Sequence, residues 1–118
     1  MTDERTTIAE LRQLVADFVA ERQWEVFHAP KNLAMSLAIE AAELMEHFQW
    51  LTVDESRQVV GNARALSDVA DELADVTCYV VALANALGID LSDAVRTKML
   101  KNAVKYPHEE FRGRFKRD

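Results

Sequence analysis

The run SDVADELADVTCYVVALANALG, from Ser67 to Gly88, decides the fold. Val69, Leu73, Val76, Val80 and Leu83 recur every three or four residues, the period of a helix that buries one stripe. Ser67 suits the N-cap, where its hydroxyl accepts from an orphan backbone N–H. Gly88 suits the far end, where a chain leaves a helix through a left-handed residue. The same period extends to either side. A helix over about Thr7 to Arg22 puts Ile8, Leu11, Leu14, Val15 and Phe18 on one face. Trp24 to Ala29 reads as a connection, and Pro30 opens a second helix that runs to about Phe48, because its missing N–H has no partner in a first turn. Thr52 to Leu66 is weaker, with Asp54 as the cap of a short helix that Gly61-Asn62 interrupts. Asp90 caps a fourth helix that reaches about Lys105, ahead of Tyr106-Pro107. Strand-like alternation is absent, so the sequence predicts an all-α fold, a bundle of four main helices.

A chain of 118 residues has room for one domain, 1–118, with 110–118 expected as a flexible basic tail. So small a core leaves room for added stability from burial between subunits. The apolar runs are too short to span a bilayer, and Met1 to Arg12 lacks the apolar stretch of a signal peptide. No membrane partner is expected. Cys78 is the single cysteine, which excludes an internal disulfide and fits the cytoplasm. A net charge of −6 argues against wrapping nucleic acid. The bases nevertheless crowd one end: Lys98, Lys101, Lys105, Arg112, Arg114, Lys116 and Arg117. An acidic centre with a basic end suits a site that takes both a divalent cation and a polyphosphate; a solvated tail would look the same.

Two matching motifs carry the chemistry. The second helix holds Glu40-Ala41-Ala42-Glu43 and the third Glu72-Leu73-Ala74-Asp75. Residues three apart share a helical face, so each helix presents two carboxylates to a common point. Glu40 falls at the edge of the stripe Leu33, Leu37, Leu44 and Phe48, and Glu72 borders the stripe of its own helix. Carboxylates turned partly inward repel each other and lose hydration. A hard cation with oxygen ligands resolves the conflict, and magnesium is the usual ion when phosphates complete the shell. Acids also gather harmlessly near helix N-termini, where the dipole favours them; two pairs, each at the rim of an apolar stripe, point to a metal instead. A ferritin-like di-iron site needs Glu-x-x-His on two helices. His47 follows Glu43 by four residues and the third helix has no histidine, so the sequence argues against that site.

With those acids stand Trp24-x-x-Phe27-His28-Ala29-Pro30-Lys31-Asn32-Leu33, Phe48-Gln49-Trp50, Lys98-Met99, Asn102 and Lys105-Tyr106-Pro107. Taken together, roughly Leu11 to Pro107 resembles the all-α nucleotide pyrophosphohydrolases, in particular their MazG-like and dCTP pyrophosphatase branch. The resemblance implies that Glu40, Glu43, Glu72 and Asp75 bind magnesium, with manganese as a substitute. It implies hydrolysis of a (deoxy)nucleoside triphosphate, dCTP or a related or modified one, to the monophosphate and pyrophosphate, in the service of cleansing the nucleotide pool. It places Trp24, His28 and Trp50 near the base, Tyr79 facing the nucleotide, and Lys98, Asn102, Lys105 and Tyr106 near sugar or phosphates. It also implies a dimer or a dimer of dimers, a homotetramer. Cytosine-preferring relatives add a polar residue from the first helix. Here the inward positions Leu11, Val15 and Phe18 are apolar, which argues against strict dCTP preference.

Some of these roles have support from spacing alone. Lys98, Asn102 and Lys105 share one face of the fourth helix, so two cations and an amide can meet one polyphosphate. Lysines late in a helix also simply complement its dipole. Trp24 and Trp50 flank the second helix and offer flat surface for a base, or ordinary packing surface. The expected mechanism is metal-assisted attack of water on the α-phosphorus, with Glu43 as general base. The rival is a non-catalytic helical oligomerisation or regulatory module, which has no need of an inward acid quartet.

Overall fold

A computed structural model describes residues 1–116. All regular structure among them is helical: α1 Ile8–Glu21, α2 Pro30–Glu46, α3 Val53–Arg57, α4 Ala63–Leu87, α5 Leu91–Lys105 and α6 His108–Phe111. Short 3-10 turns cover Glu25–Phe27 and Gln58–Gly61. The chain divides into two compact units, Met1–Gly88 and Ile89–Asp118. No single helix among the described residues is long and apolar enough to cross a membrane.

In the first unit, α1 begins with a capping box. Thr7 Oγ1 accepts from the Glu10 backbone N–H at 3.1 Å, and the Thr7 N–H donates to the Glu10 carboxylate at 2.6 Å. The helix leaves through Gln23, the one described non-glycine residue with positive φ, +54°. Gln23 N–H donates to Ala20 O and Trp24 N–H to Val19 O, both at 3.0 Å. This is the paired 5→2 and 6→1 closure of a Schellman turn, with glutamine where glycine is usual, at a cost of roughly 1 kcal/mol. Pro30 occupies the first turn of α2, as expected.

The core is small. Leu33 on α2 and Val81, Ala82 and Ala84 on α4 are the buried apolar side chains. α2 packs along α4, and α1 lies against α4 as well. Small alanines on α4 let its neighbours approach. A reciprocal pair fastens α1 to α4: Arg12 Nε donates to Asn85 Oδ1 at 2.8 Å, and Asn85 Nδ2 donates to the Arg12 carbonyl at 3.1 Å. Gly88 closes α4 at φ +64°.

Four boundaries or faces differ from expectation. α4 starts at Ala63, capped by the Asn62 side chain on Ala65 N–H at 3.1 Å, so Ser67 lies inside the helix. Helical structure does break at Gly61-Asn62, as expected, and Asn62 in addition caps the next helix. The short helix α3 is capped by Thr52, through a capping box with Glu55, rather than by Asp54, whose carboxylate meets Arg57 at 2.9 Å. α2 stops at Glu46 and the chain turns through Phe48. Leu73 is 54% exposed instead of lying in the buried stripe of α4. In that turn Glu72 is half-buried instead, in line with the half-buried Val69 and Val76.

In the second unit, Asp90 caps α5 by accepting from Asp93 N–H at 2.8 Å, and the helix ends at Lys105 as expected. The Tyr106 and Phe111 rings meet edge to face, 5.2 Å between centroids. Of the expected tail, residues 110–111 lie in α6, and 117–118 lie outside the described residues.

Candidate metal centre and adjoining cavity

α2 and α4 run together through their acidic motifs. Glu40 and Glu43, one turn apart on α2, converge with Glu72 of α4, and one carboxylate oxygen of each lies within 4.8 Å of the others. Such a grouping has a cost. Glu40 Oε2 and Glu72 Oε2 are buried, and neither has a hydrogen-bond donor. An orphan buried carboxylate oxygen is among the more expensive things a fold can hold.

A proton relieves part of this strain. The carboxyl of Glu40 is pushed up to about 7, first by burial, then by sharing its proton with Glu43 and Glu72, and then by the negative charges of Glu43 and Asp75. With Glu40 ionised, no donor faces the two orphan oxygens. A divalent cation supplies what is missing: positive charge and a hard acceptor of oxygen lone pairs. The donor set is all carboxylate, which suits magnesium, calcium or manganese and not the sulfur- and imidazole-preferring metals. The three glutamates therefore fit a divalent ion.

Asp75 is exposed and stands outside the group of three, though its charge reaches Glu40. It lines a cavity of about 510 Å³, with Leu14, Val15, Phe18 and Val19 of α1, Trp24 and His28 of the connection, and Cys78 and Tyr79 of α4. Its other walls are apolar or aromatic, so Asp75 joins an acidic cluster to a pocket for a flat, poorly hydrated group. Trp24, His28 and Tyr79 also line a neighbouring cavity of about 420 Å³ with Phe27, Leu33 and Ser36. His28 reaches a third, of about 460 Å³, beside Glu25 and Asn85. Burial pushes the Cys78 thiol up, and the charge of Asp75 adds to it.

Of the residues singled out in the sequence, the structure brings Glu40, Glu43 and Glu72 into one cluster, and Asp75, Trp24, His28 and Tyr79 into the cavity beside it. Trp50 does not join them: it is 87% exposed and absent from all three linings. Lys98, Asn102, Lys105 and Tyr106 belong to the second unit, where Asn102 is half-buried and Lys105 Nζ lies 5.3 Å from the Tyr106 ring centroid. Sequence reasoning did not single out Cys78 as part of a site and read Phe18 as core. Cys78, three residues beyond Asp75, was within reach of the same spacing argument. Phe18 was not, because an apolar cavity wall and a core face have the same period.

Known proteins are similar to this chain in sequence and in fold. The model of the MazG-like family matches residues 35–117. The chain is 41% identical over 107 residues to dCTP pyrophosphatase 1 of Bos taurus, covering 91% of this chain and 63% of that protein. It is 44% identical over 101 residues to the Homo sapiens protein of the same name, covering 86% and 59%. The chain thus spans about three fifths of the length of these curated relatives. Among solved structures, a pyrophosphatase from Archaeoglobus fulgidus superposes with a TM-score of 0.79 at 38% identity, over 91% of this chain and 98% of that one.

Proposed function

The chain belongs to the MazG-like family, and from that premise we propose that it hydrolyses a nucleoside triphosphate, with magnesium, to the monophosphate and pyrophosphate. One observation carries the proposal: the two buried, donorless oxygens of Glu40 and Glu72, opposed across α2 and α4 beside an aromatic cavity. A packing module has no use for such a pair.

Glu40, Glu43 and Glu72 would hold the ion, with Asp75 as the fourth carboxylate at the cavity rim. When bound, the ion offsets phosphate charge and lowers the cost of forming hydroxide from water. The protein's own part is positioning. The cavity takes the base between Trp24 and Tyr79, with His28 as the polar group at its edge. Holding the base there directs the phosphates past Asp75 towards the glutamates. Glu43 accepts the proton of the attacking water as a new P–O bond forms in line at the α-phosphorus. The bond from the α-phosphorus to its bridging oxygen breaks, and pyrophosphate departs with the electron pair. Roles for Lys98, Asn102, Lys105 and Tyr106 at sugar or phosphates, and for Trp50 near the base, are drawn from the family resemblance alone.

The name of the relatives, dCTP pyrophosphatase, supports dCTP as the substrate; a modified form of it, and a role in cleansing the nucleotide pool of the cytoplasm, are drawn from the family resemblance. The walls from α1 argue for a tolerant base site: Leu14, Val15, Phe18 and Val19 bring no hydrogen-bonding side chain to the cavity. Association into a dimer or tetramer fits the many large apolar side chains left exposed, among them Met35, Ile39 and Leu73. A single functional domain over the whole chain completes the proposal.

The test is a panel of ribo- and deoxynucleoside triphosphates incubated with magnesium, with products separated. Monophosphate and pyrophosphate in equal amounts are expected. Release of orthophosphate and diphosphate would overturn the assignment, since attack would then fall on the γ-phosphorus.

A further inference from the structure

Trp24 is an unusual wall. It is 43% exposed, it follows the strained left-handed Gln23, and it borders two cavities at once. A half-exposed indole after a turn has freedom to swing, yet a stacking surface works only if it stays put. What braces it is Phe18, six residues earlier in α1, whose ring meets Trp24 edge to face at 5.8 Å and 75°. Phe18 is itself 48% exposed. Over its face lies Arg22, with the guanidinium carbon 3.6 Å from the ring centroid. Arg22 Nη1 also donates to the Phe18 carbonyl at 3.1 Å and lies 3.6 Å from the Glu21 carboxylate. Arginine is thus fixed at both the backbone and the ring of the same residue. It lines none of the three cavities.

We propose that Arg22 is a positioning residue for base recognition: stacked on Phe18, it locks the Phe18–Trp24 pair as the wall against which the nucleobase lies. The stack forms a chain of planes, guanidinium on phenyl and phenyl edge on indole, running from solvent into the cavity. Removing the outer plane frees Phe18 to turn away, and Trp24 then loses the ring that sets its angle. The Schellman turn alone fixes only the backbone of Trp24, through its bond to Val19 O. The inference rests on the nucleotide-hydrolysing reading above.

The experiment compares the full chain with Arg22→Gln and Arg22→Lys. Arg22→Gln is expected to raise KM for a nucleoside triphosphate about threefold while kcat stays within about twofold, since a cation–π stack at an exposed site is a modest interaction. Inhibition by inorganic tripolyphosphate, which has phosphates and no base, is expected to be unchanged. Nitrogen relaxation of the Trp24 indole N–H, assigned with Trp50→Phe, is expected to show lower order in Arg22→Gln and partial recovery in Arg22→Lys. An unchanged KM with unchanged indole order overturns the proposal. So does an equal loss of tripolyphosphate binding, which would mean general damage. A parent that hydrolyses no nucleoside triphosphate defeats the functional reading and this inference with it; that outcome is told apart from a failed brace by an indole order that still responds to Arg22.

Discussion

Replacing Glu40 with glutamine is expected to do opposite things to the metal-free and the metal-bound protein. In the metal-free chain the Glu40 carboxyl is raised from 4.5 to about 7. Because the folded state holds this proton more tightly than the unfolded state, Glu40 adds stability below about pH 4.5, and that contribution is lost as pH rises through about 7. The gap between the two values corresponds to an upper figure on the order of 3 kcal/mol, which solvent screening at this partly exposed carboxyl lowers. Glutamine stays neutral at every pH, and its amide can donate to Glu72 Oε2 or to Glu43, supplying the donor that the orphan oxygen lacks. At pH 8, with chelator present, Glu40→Gln should therefore be more stable than the parent by about 1–3 kcal/mol, or roughly 4–12 °C in melting temperature for a chain of this size. The difference should shrink towards zero by pH 5. Millimolar magnesium should reverse the order, raising the parent by mass action and leaving the variant nearly unmoved. The assay is thermal denaturation at fixed protein concentration, with and without magnesium, at pH 5 and pH 8. A variant less stable than the metal-free parent at pH 8, or one that still gains from magnesium as the parent does, would refute the account of the cluster.

Other changes have simpler expectations. Glu43→Gln and Asp75→Asn should each lower kcat at least a hundredfold with helical circular dichroism intact, in keeping with the cost of losing a general base or a metal ligand; turnover within about threefold of the parent would count against the roles assigned here. Gly88→Ala should cost about 1 kcal/mol in chemical denaturation, through φ +64° alone, because an added Cβ there meets open space. Gln23→Gly should go the other way, from neutral to about 1 kcal/mol more stable, by relieving the left-handed glutamine. Leu33→Ala, at a side chain only 2% exposed, should cost about 2–5 kcal/mol by the same measurement.

How much of this was legible depends on what kind of signal each residue sends. Pro30, Gly88 and Asp90 mark helix ends by properties of their own backbone or side chain, and the structure uses all three as the sequence suggests. Asn62 and Thr52 send the same kind of signal. Asn62 was obscured by Gly61, since glycine followed by asparagine marks a break as well as a cap. Asp54 and Thr52 are both good caps, and only the reciprocal bond with Glu55 separates them. Leu73 shows a deeper limit. Periodicity fixes which residues share a face but not the rotation of the helix about its axis, and here that rotation favours Glu72 over Leu73 for the inward position.

The sequence alone determined that the chain is helical and that two acid pairs repeat on two of its helices, because helical period and residue chemistry are local properties. Only the tertiary structure decided that Glu40, Glu43 and Glu72 meet within one ion's reach while Asp75 turns to the cavity. It alone put Phe18 and Cys78 beside Trp24 and Tyr79. Convergence depends on how far apart, and at what rotation, two helices pack. That is set by side chains such as Leu33, Val81 and Ala82, which carry no mark of the chemistry they bring together.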